Sequence, residues 1–160
     1  MLIVCTQDAE IRRWTNDRES GSARWSPVSL ISDNLNQNGA TRDLQSLLNV
    51  LGRTEVLCLS AHGNDTEIGD EDDEGWTWTT TDIAAMLARN PKHQGPILIH
   101  ACSRSIANFA AGLAVELEKI RALNGVWIYG YNKPVPRKAK YPDPNTLDKQ
   151  AELQGTRVRF

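Results

Sequence analysis

Apolar residues fall along this chain in short blocks, and the blocks alternate between two periods. Leu2 to Thr6, Trp25 to Ile31, Glu55 to Ser60, Pro96 to His100 and Gly125 to Tyr131 are runs of strand length. The last three are almost continuously apolar, as strands of a parallel sheet covered on both faces must be. Between them the period lengthens. Leu44, Leu47, Leu48 and Leu51 keep the i, i+3, i+4, i+7 spacing of one buried helical face, with Gly52 placed to end the helix. Ile83, Met86 and Leu87 predict a short helix capped by Thr80 or Thr81 and stopping before Pro91. The longest stripe is Ile106, Phe109, Ala110, Leu113, Leu117 and Ile120. This alternation predicts an α/β fold: one domain over residues 1–160, with a mainly parallel sheet of about six strands and helices on both faces.

Two segments break the pattern. Seven of the ten residues 65–74 are acidic, and Gly75-Trp76-Thr77-Trp78 follows them, which predicts a hairpin with an acidic tip. The acidic positions do not match EF-hand ligand spacing, so a solvated tip is the simpler reading and no metal is assigned. From Lys133 to about Gly155 the chain is rich in proline and longer than structureless loops usually are, which suggests a lid or a mobile segment. Thr156 to Phe160 then returns as an edge strand.

Composition narrows the class of molecule. Hydrophobic residues make up 40% and charged residues 24%, and 18 Lys+Arg against 20 Asp+Glu leave a net charge of -2. No basic field is present to draw nucleic acid or an anionic membrane. No apolar run is long enough to span a bilayer, and Leu2-Ile3-Val4 reads as a strand rather than a signal peptide. The three cysteines form no CxxC pair, which fits neither a disulfide framework nor a zinc site and points to a reducing cytosol.

The chemistry gathers at two strand ends. Ser60-Ala61-His62-Gly63 closes one apolar strand and His100-Ala101-Cys102-Ser103 closes the next. In open α/β sheets functional residues collect beyond the carboxyl ends of the strands. If these two strands are neighbours, His62 and Cys102 meet. A thiol before a helix N-terminus and beside an imidazole is a nucleophile with its own proton acceptor. Gly63, lacking a Cβ, admits close backbone approach, and its N–H with that of Cys102 would stabilise an oxyanion. Cys5 and Cys58 lie inside apolar strands and read as inert packing. His93, in a proline-flanked loop, reads as a surface residue.

At these residues the sequence resembles the caspase-like superfamily of cysteine peptidases, which includes caspases, legumain, gingipains, separase, clostripain and the autoprocessing domains of large bacterial toxins. The shared pattern is an apolar strand ending in His-Gly, here Val56 to Gly63, then one ending in a small residue and Cys, here Ile97 to Cys102, with forty positions from His62 to Cys102. The resemblance covers about residues 54–131. It implies a caspase-like three-layer sandwich and an endopeptidase in which Cys102 is the nucleophile, His62 the general acid/base, and Gly63 and Cys102 the oxyanion donors. His100, two positions before the nucleophile, would line the substrate pocket. The family's Gln or Glu is missing there, and His100-Ala101-Cys102-Ser103-Arg104 replaces the caspase run Gln-Ala-Cys-Arg-Gly. A small bacterial member, cytoplasmic or delivered into a host cytosol, therefore fits better than a eukaryotic caspase. No cofactor is implied. Lys133, Arg137, Lys138 and Lys140 would suit a polyanion, as in toxin autoprocessing domains, with a solvated tail as the plainer alternative. Two other readings of the whole chain stand beside it: a catalytically inactive interaction or regulatory module of the same fold, and another thiol-dependent transferase or hydrolase of α/β type.

Overall fold

A computed structural model describes residues 1–70, 75–102 and 109–160. The element order is β1 (Leu2–Val4), α1 (Ala9–Thr15), β2 (Val28–Leu30), α2 (Gln37–Asn49), β3 (Leu57–Gly63), β4 (Glu67–Gly69), β5 (Thr77–Thr79), α3 (Thr80–Leu87), β6 (Ile97–Cys102), α4 (Phe109–Lys119), β7 (Trp127–Tyr131) and β8 (Leu153–Arg157). The sheet runs β2-β1-β3-β6-β7-β8; β2, β1, β3, β6 and β7 are parallel and β8 is antiparallel to β7. The hairpin of β4 and β5 extends antiparallel from the end of β3. The fold class is the α/β arrangement that alternating periods require. Among the described residues no helix is long and apolar enough to cross a membrane.

Strand alternation sorts the central residues between two faces. Leu57, Leu59 and Ala61 of β3 point with Ile97, Ile99 and Ala101 of β6 to the face under α2, α3 and α4, where a Cβ on Gly130 would sit 2.8 Å from Ala110. The leucine stripe of α2 places Leu44 and Leu48 wholly out of solvent. Thr79, rather than Thr80 or Thr81, caps α3: its hydroxyl accepts from the Asp82 N–H and the Asp82 carboxylate accepts from the Thr79 N–H. That reciprocal pair fixes the start one residue earlier than the apolar spacing indicates.

The opposite face carries Cys58, Ser60 and His62 beside Leu98, His100 and Cys102. It is covered by α1, by short 3-10 turns at Arg18–Ser20 and Ser22–Arg24, and by the segment after β7. That segment is not an open lid. Val135, Tyr141 and Leu147 are buried and a 3-10 turn forms over Pro144–Lys149. Tyr141 drives this packing: its hydroxyl lies 2.8 Å from Ser60 Oγ and 2.7 Å from Thr15 Oγ1. Two tryptophans tie it down from the other side, Trp14 donating to Ala139 O and Trp25 to Pro142 O.

Other boundaries move for identifiable reasons. β3 and β6 run past Ser60 and His100 because their pairing continues to His62 and Cys102. β8 begins at Leu153 because Tyr131 pairs with it. His93, expected at the surface, is buried with its Nδ1 3.1 Å from Gly52 O. The expected helix start near Ser105, with Ile106 in its stripe, lies outside the described residues, as do Glu71, Asp72, Asp73 and Glu74 of the acidic tip.

Replacing Tyr141 by Phe keeps the ring and strips the Ser60 and Thr15 hydroxyls of their shared partner. Thr15 keeps its bond to Ile11 O, but the buried Ser60 hydroxyl loses the Tyr141 contact. That loss costs about 1–3 kcal/mol, so urea unfolding should show a loss of that size, and an unchanged midpoint would remove Tyr141 from the anchoring role.

Candidate active site

The chain leaves β1 towards β2 on one side of the sheet and returns to β3 on the other, so the strand order reverses between β1 and β3. A crevice opens at the carboxyl end of such a reversal. Asp8 follows β1, His62 stands near the end of β3, and Cys102 is the last residue of β6. His62 and Cys102 are direct register partners, and paired parallel strands lie about 4.8 Å apart with side chains on the same face. The structure thus brings together the two residues on which the sequence reading centred. Cys102 is half-buried and His62 is 4% exposed.

Asp8 was missed by sequence reasoning. It caps α1, its Oδ1 accepting from the N–H groups of Glu10 at 2.9 Å and Ile11 at 2.8 Å. That leaves Oδ2 directed at His62 Nε2, 3.0 Å away. The distance is that of a polar contact, although Nε2 lies outside good hydrogen-bond alignment. Arg137 Nε lies 3.7 Å from the same oxygen. Partial burial raises the Asp8 pKa, but His62, the Ile11 amide and Arg137 together outweigh it and hold the carboxyl below its ordinary range. A capping Asp after an N-terminal strand was the available signal, and the rule that picked out His62 and Cys102 applies equally to the end of β1.

Gly63 lies one step beyond the last β3–β6 pair. Cys58 N–H donates to Met1 O and Leu57 N–H to Pro96 O, so odd-numbered N–H groups of β3 face β6, Gly63 among them. A Cβ at Gly63 would come 3.0 Å from both Glu67 O and Ile68 Cγ2 and 3.1 Å from Ala101 Cβ. The absence of a side chain is thus required by the β4 hairpin and β6, apart from any approach by a ligand.

His100 sits beneath Cys102 on the same face and is 5% exposed. Its Nδ1 is 2.6 Å from the Tyr131 hydroxyl, and its ring lies 4.4 Å from that of Tyr141, tilted by 35°. Burial outweighs the hydrogen bond its ring donates to the Ala139 carbonyl and pulls its pKa down to about 4. Cys5 and Cys58 are fully buried, as their apolar strands indicated. Burial, with the Asp70 charge second, pushes the Cys5 thiol up to about 12; burial also raises that of Cys58.

Lys133, Arg137, Lys138 and Lys140 are all exposed. Arg137 and Lys138 reach Glu10 at 3.7 and 3.6 Å across an open hollow of about 530 Å³ between α1 and the segment after β7. Among the described residues no group of His, Cys, Asp and Glu is arranged to hold a metal ion. No protein-family model, curated protein or solved structure matches this chain.

The His100 environment makes stability acid-sensitive. The unfolded chain takes up a proton at this ring near pH 6.5 and the folded protein only near 4, so its contribution is complete above 6.5 and declines as pH falls to 4, by about 3 kcal/mol. Urea titrations at several pH values should show that slope, and His100→Leu should flatten it to the part left by His93, whose pKa burial also lowers, and, towards pH 4, by Glu55 and Asp8, whose carboxyls are held below their ordinary range. An unaltered slope would assign the acid sensitivity elsewhere.

Proposed function

We propose that this chain is a caspase-like cysteine endopeptidase that hydrolyses peptide bonds through Cys102 and His62. The observation that carries the reading is the register pairing of these two residues at the carboxyl edge of a parallel sheet, with a carboxylate oxygen 3.0 Å from Nε2 of the imidazole. Because Asp8 occupies Nε2, Nδ1 is the nitrogen left to exchange protons. In the proposed reaction Nδ1 takes the Cys102 proton as sulfur attacks the peptide carbonyl, and Asp8 stabilises the imidazolium. The N–H groups of Gly63 and Cys102 are the proposed oxyanion donors. The phase of the β3–β6 ladder turns the first towards Cys102 O and the second towards Ala61 O, so the last pair of the ladder has to open for them to receive the oxyanion. His62 then protonates the departing amine, and water activated by the same nitrogen hydrolyses the thioester. No cofactor takes part.

His100 is assigned to the floor of the substrate pocket under Cys102, its contact with substrate limited by Tyr131 and Tyr141. A polyanion at Lys133, Arg137, Lys138 and Lys140 would have to compete with Glu10, so we assign regulation by such a ligand second place behind direct action on peptide. A free-thiol mechanism belongs in a reducing compartment, the cytosol of the cell or of a host. The near-complete burial of His62 favours one other reading, an inactive interaction module of the same fold.

The thiols separate these readings. With a pKa of about 12, roughly one Cys5 thiol in a hundred thousand is ionised at neutral pH, and Cys58 is held protonated for the same reason. Limiting iodoacetamide should modify Cys102 first, His62→Ala should slow that modification, and Cys102→Ala should abolish peptide hydrolysis with the fold intact. Failure of Cys102 to label with an active-site peptide electrophile would favour the inactive module, labelling without turnover of any peptide would favour another thiol-dependent transferase or hydrolase, and hydrolysis persisting in Cys102→Ala would exclude the dyad.

A further inference from the structure

We propose that Asp70 is a positioning residue for His62, acting through Thr6 and Asp8, so that the acidic hairpin sets the geometry of the site. Its effect on turnover rests on the peptidase reading, whereas its effect on the imidazole does not. β1 ends at Val4, and beyond the Cys5 N–H, which donates to Ser60 O, no strand pairing among the described residues holds the chain that leads to Asp8. Asp70 supplies the missing partners. Its Oδ1 accepts from Thr6 Oγ1 at 2.5 Å and from Gln7 N–H at 2.6 Å. Thr6 Oγ1 in turn accepts from the Asp8 N–H at 3.1 Å, and Asp8 Oδ2 faces His62. A continuous chain of polar contacts therefore runs from the hairpin to the imidazole.

Asp70 is itself held rigidly. Its N–H donates to Trp76 O at 2.7 Å and its Oδ2 accepts from Trp76 N–H at 2.8 Å. Trp76 is buried and anchored through its indole N–H to Leu35 O. Gly69 at φ +143° brings the chain into this clasp, where a Cβ would overlap Trp76 O. Thr6 is wholly buried, so its hydroxyl has no water to substitute for the carboxylate. One carboxylate thus fixes a segment that the sheet does not, and through it the oxygen that selects the imidazole tautomer.

The test is nitrogen-15 NMR of the His62 ring in the full chain, at a pH where the ring is neutral, together with unfolding midpoints. Wild type should favour the Nε2–H tautomer and Asp8→Ala should lose that preference. Asp70→Ala and the near-isosteric Thr6→Val should lose it too, Thr6→Ser should retain it, and Asp70→Ala should add nothing in an Asp8→Ala background. On peptide substrate the Asp70 and Thr6 variants should lower kcat roughly tenfold to a hundredfold with KM little changed. Folded Asp70→Ala and Thr6→Val with the wild-type tautomer would overturn the proposal, even if their unfolding midpoints fell. Absence of turnover in wild type with the tautomer pattern as described would refute the peptidase reading and leave the role of Asp70 standing.

Discussion

Everything at the site depends on the register between β3 and β6. Six consecutive pairs, from Leu57 with Ile97 to His62 with Cys102, set which side chains share a face. A one-residue slip of β6 against β3 would turn Cys102 away from His62 and carry His100 and Cys102 under the helices. The apolar residues prevent it. Leu57, Leu59 and Ala61 with Ile97, Ile99 and Ala101 must meet α2, α3 and α4, and a one-residue slip of either strand breaks that arrangement. The hydrophobic face therefore fixes the polar one.

That polar face creates a demand of its own. Ser60 and His100 lie at the centre of the sheet, where unpaired hydroxyl and imidazole groups are costly. Tyr131 answers His100 from the neighbouring strand, and Tyr141 answers Ser60 from a segment ten residues further along. The proline-rich stretch after β7 is thereby part of the folded core, because it carries the aromatic hydroxyl the sheet requires.

Much of this was legible in sequence because it depends on local periodicity. The order of the parallel strands, the helices after β2, the leucine stripe of α2 and the buried state of Cys5 and Cys58 follow from spacing and apolar content. So does the meeting of His62 with Cys102, once their strands are taken as neighbours. The short α1 carries no such stripe and was not legible. What else escaped depends on contacts between distant positions. Asp8 looks like an ordinary helix cap until the fold sets β1 beside β3. Lys133 to Gly155 looks like a lid because the partners of Tyr141, Thr15 and Ser60, lie far upstream. His93 looks exposed beside Lys92 and proline because its partner, Gly52 O, comes from the loop after α2.

The three strand ends that meet at the site are unequally supported. β3 and β6 hold each other over six pairs, while β1 has three residues and stops short of Asp8. A residue that must face an imidazole at 3.0 Å cannot hang from an unpaired strand end, since backbone freedom there would spread the carboxylate over many positions. The chain compensates with side chains on both sides of Asp8. Ahead of it, Asp70 binds Thr6 and Gln7; behind it, the carboxylate turns one oxygen into the cap of α1. Capping spends a single oxygen and leaves the second fixed in direction by the first. The short β1 strand, the hairpin clasp and the capped helix thus act as one device, placing a negative charge where the reversal of the sheet opens.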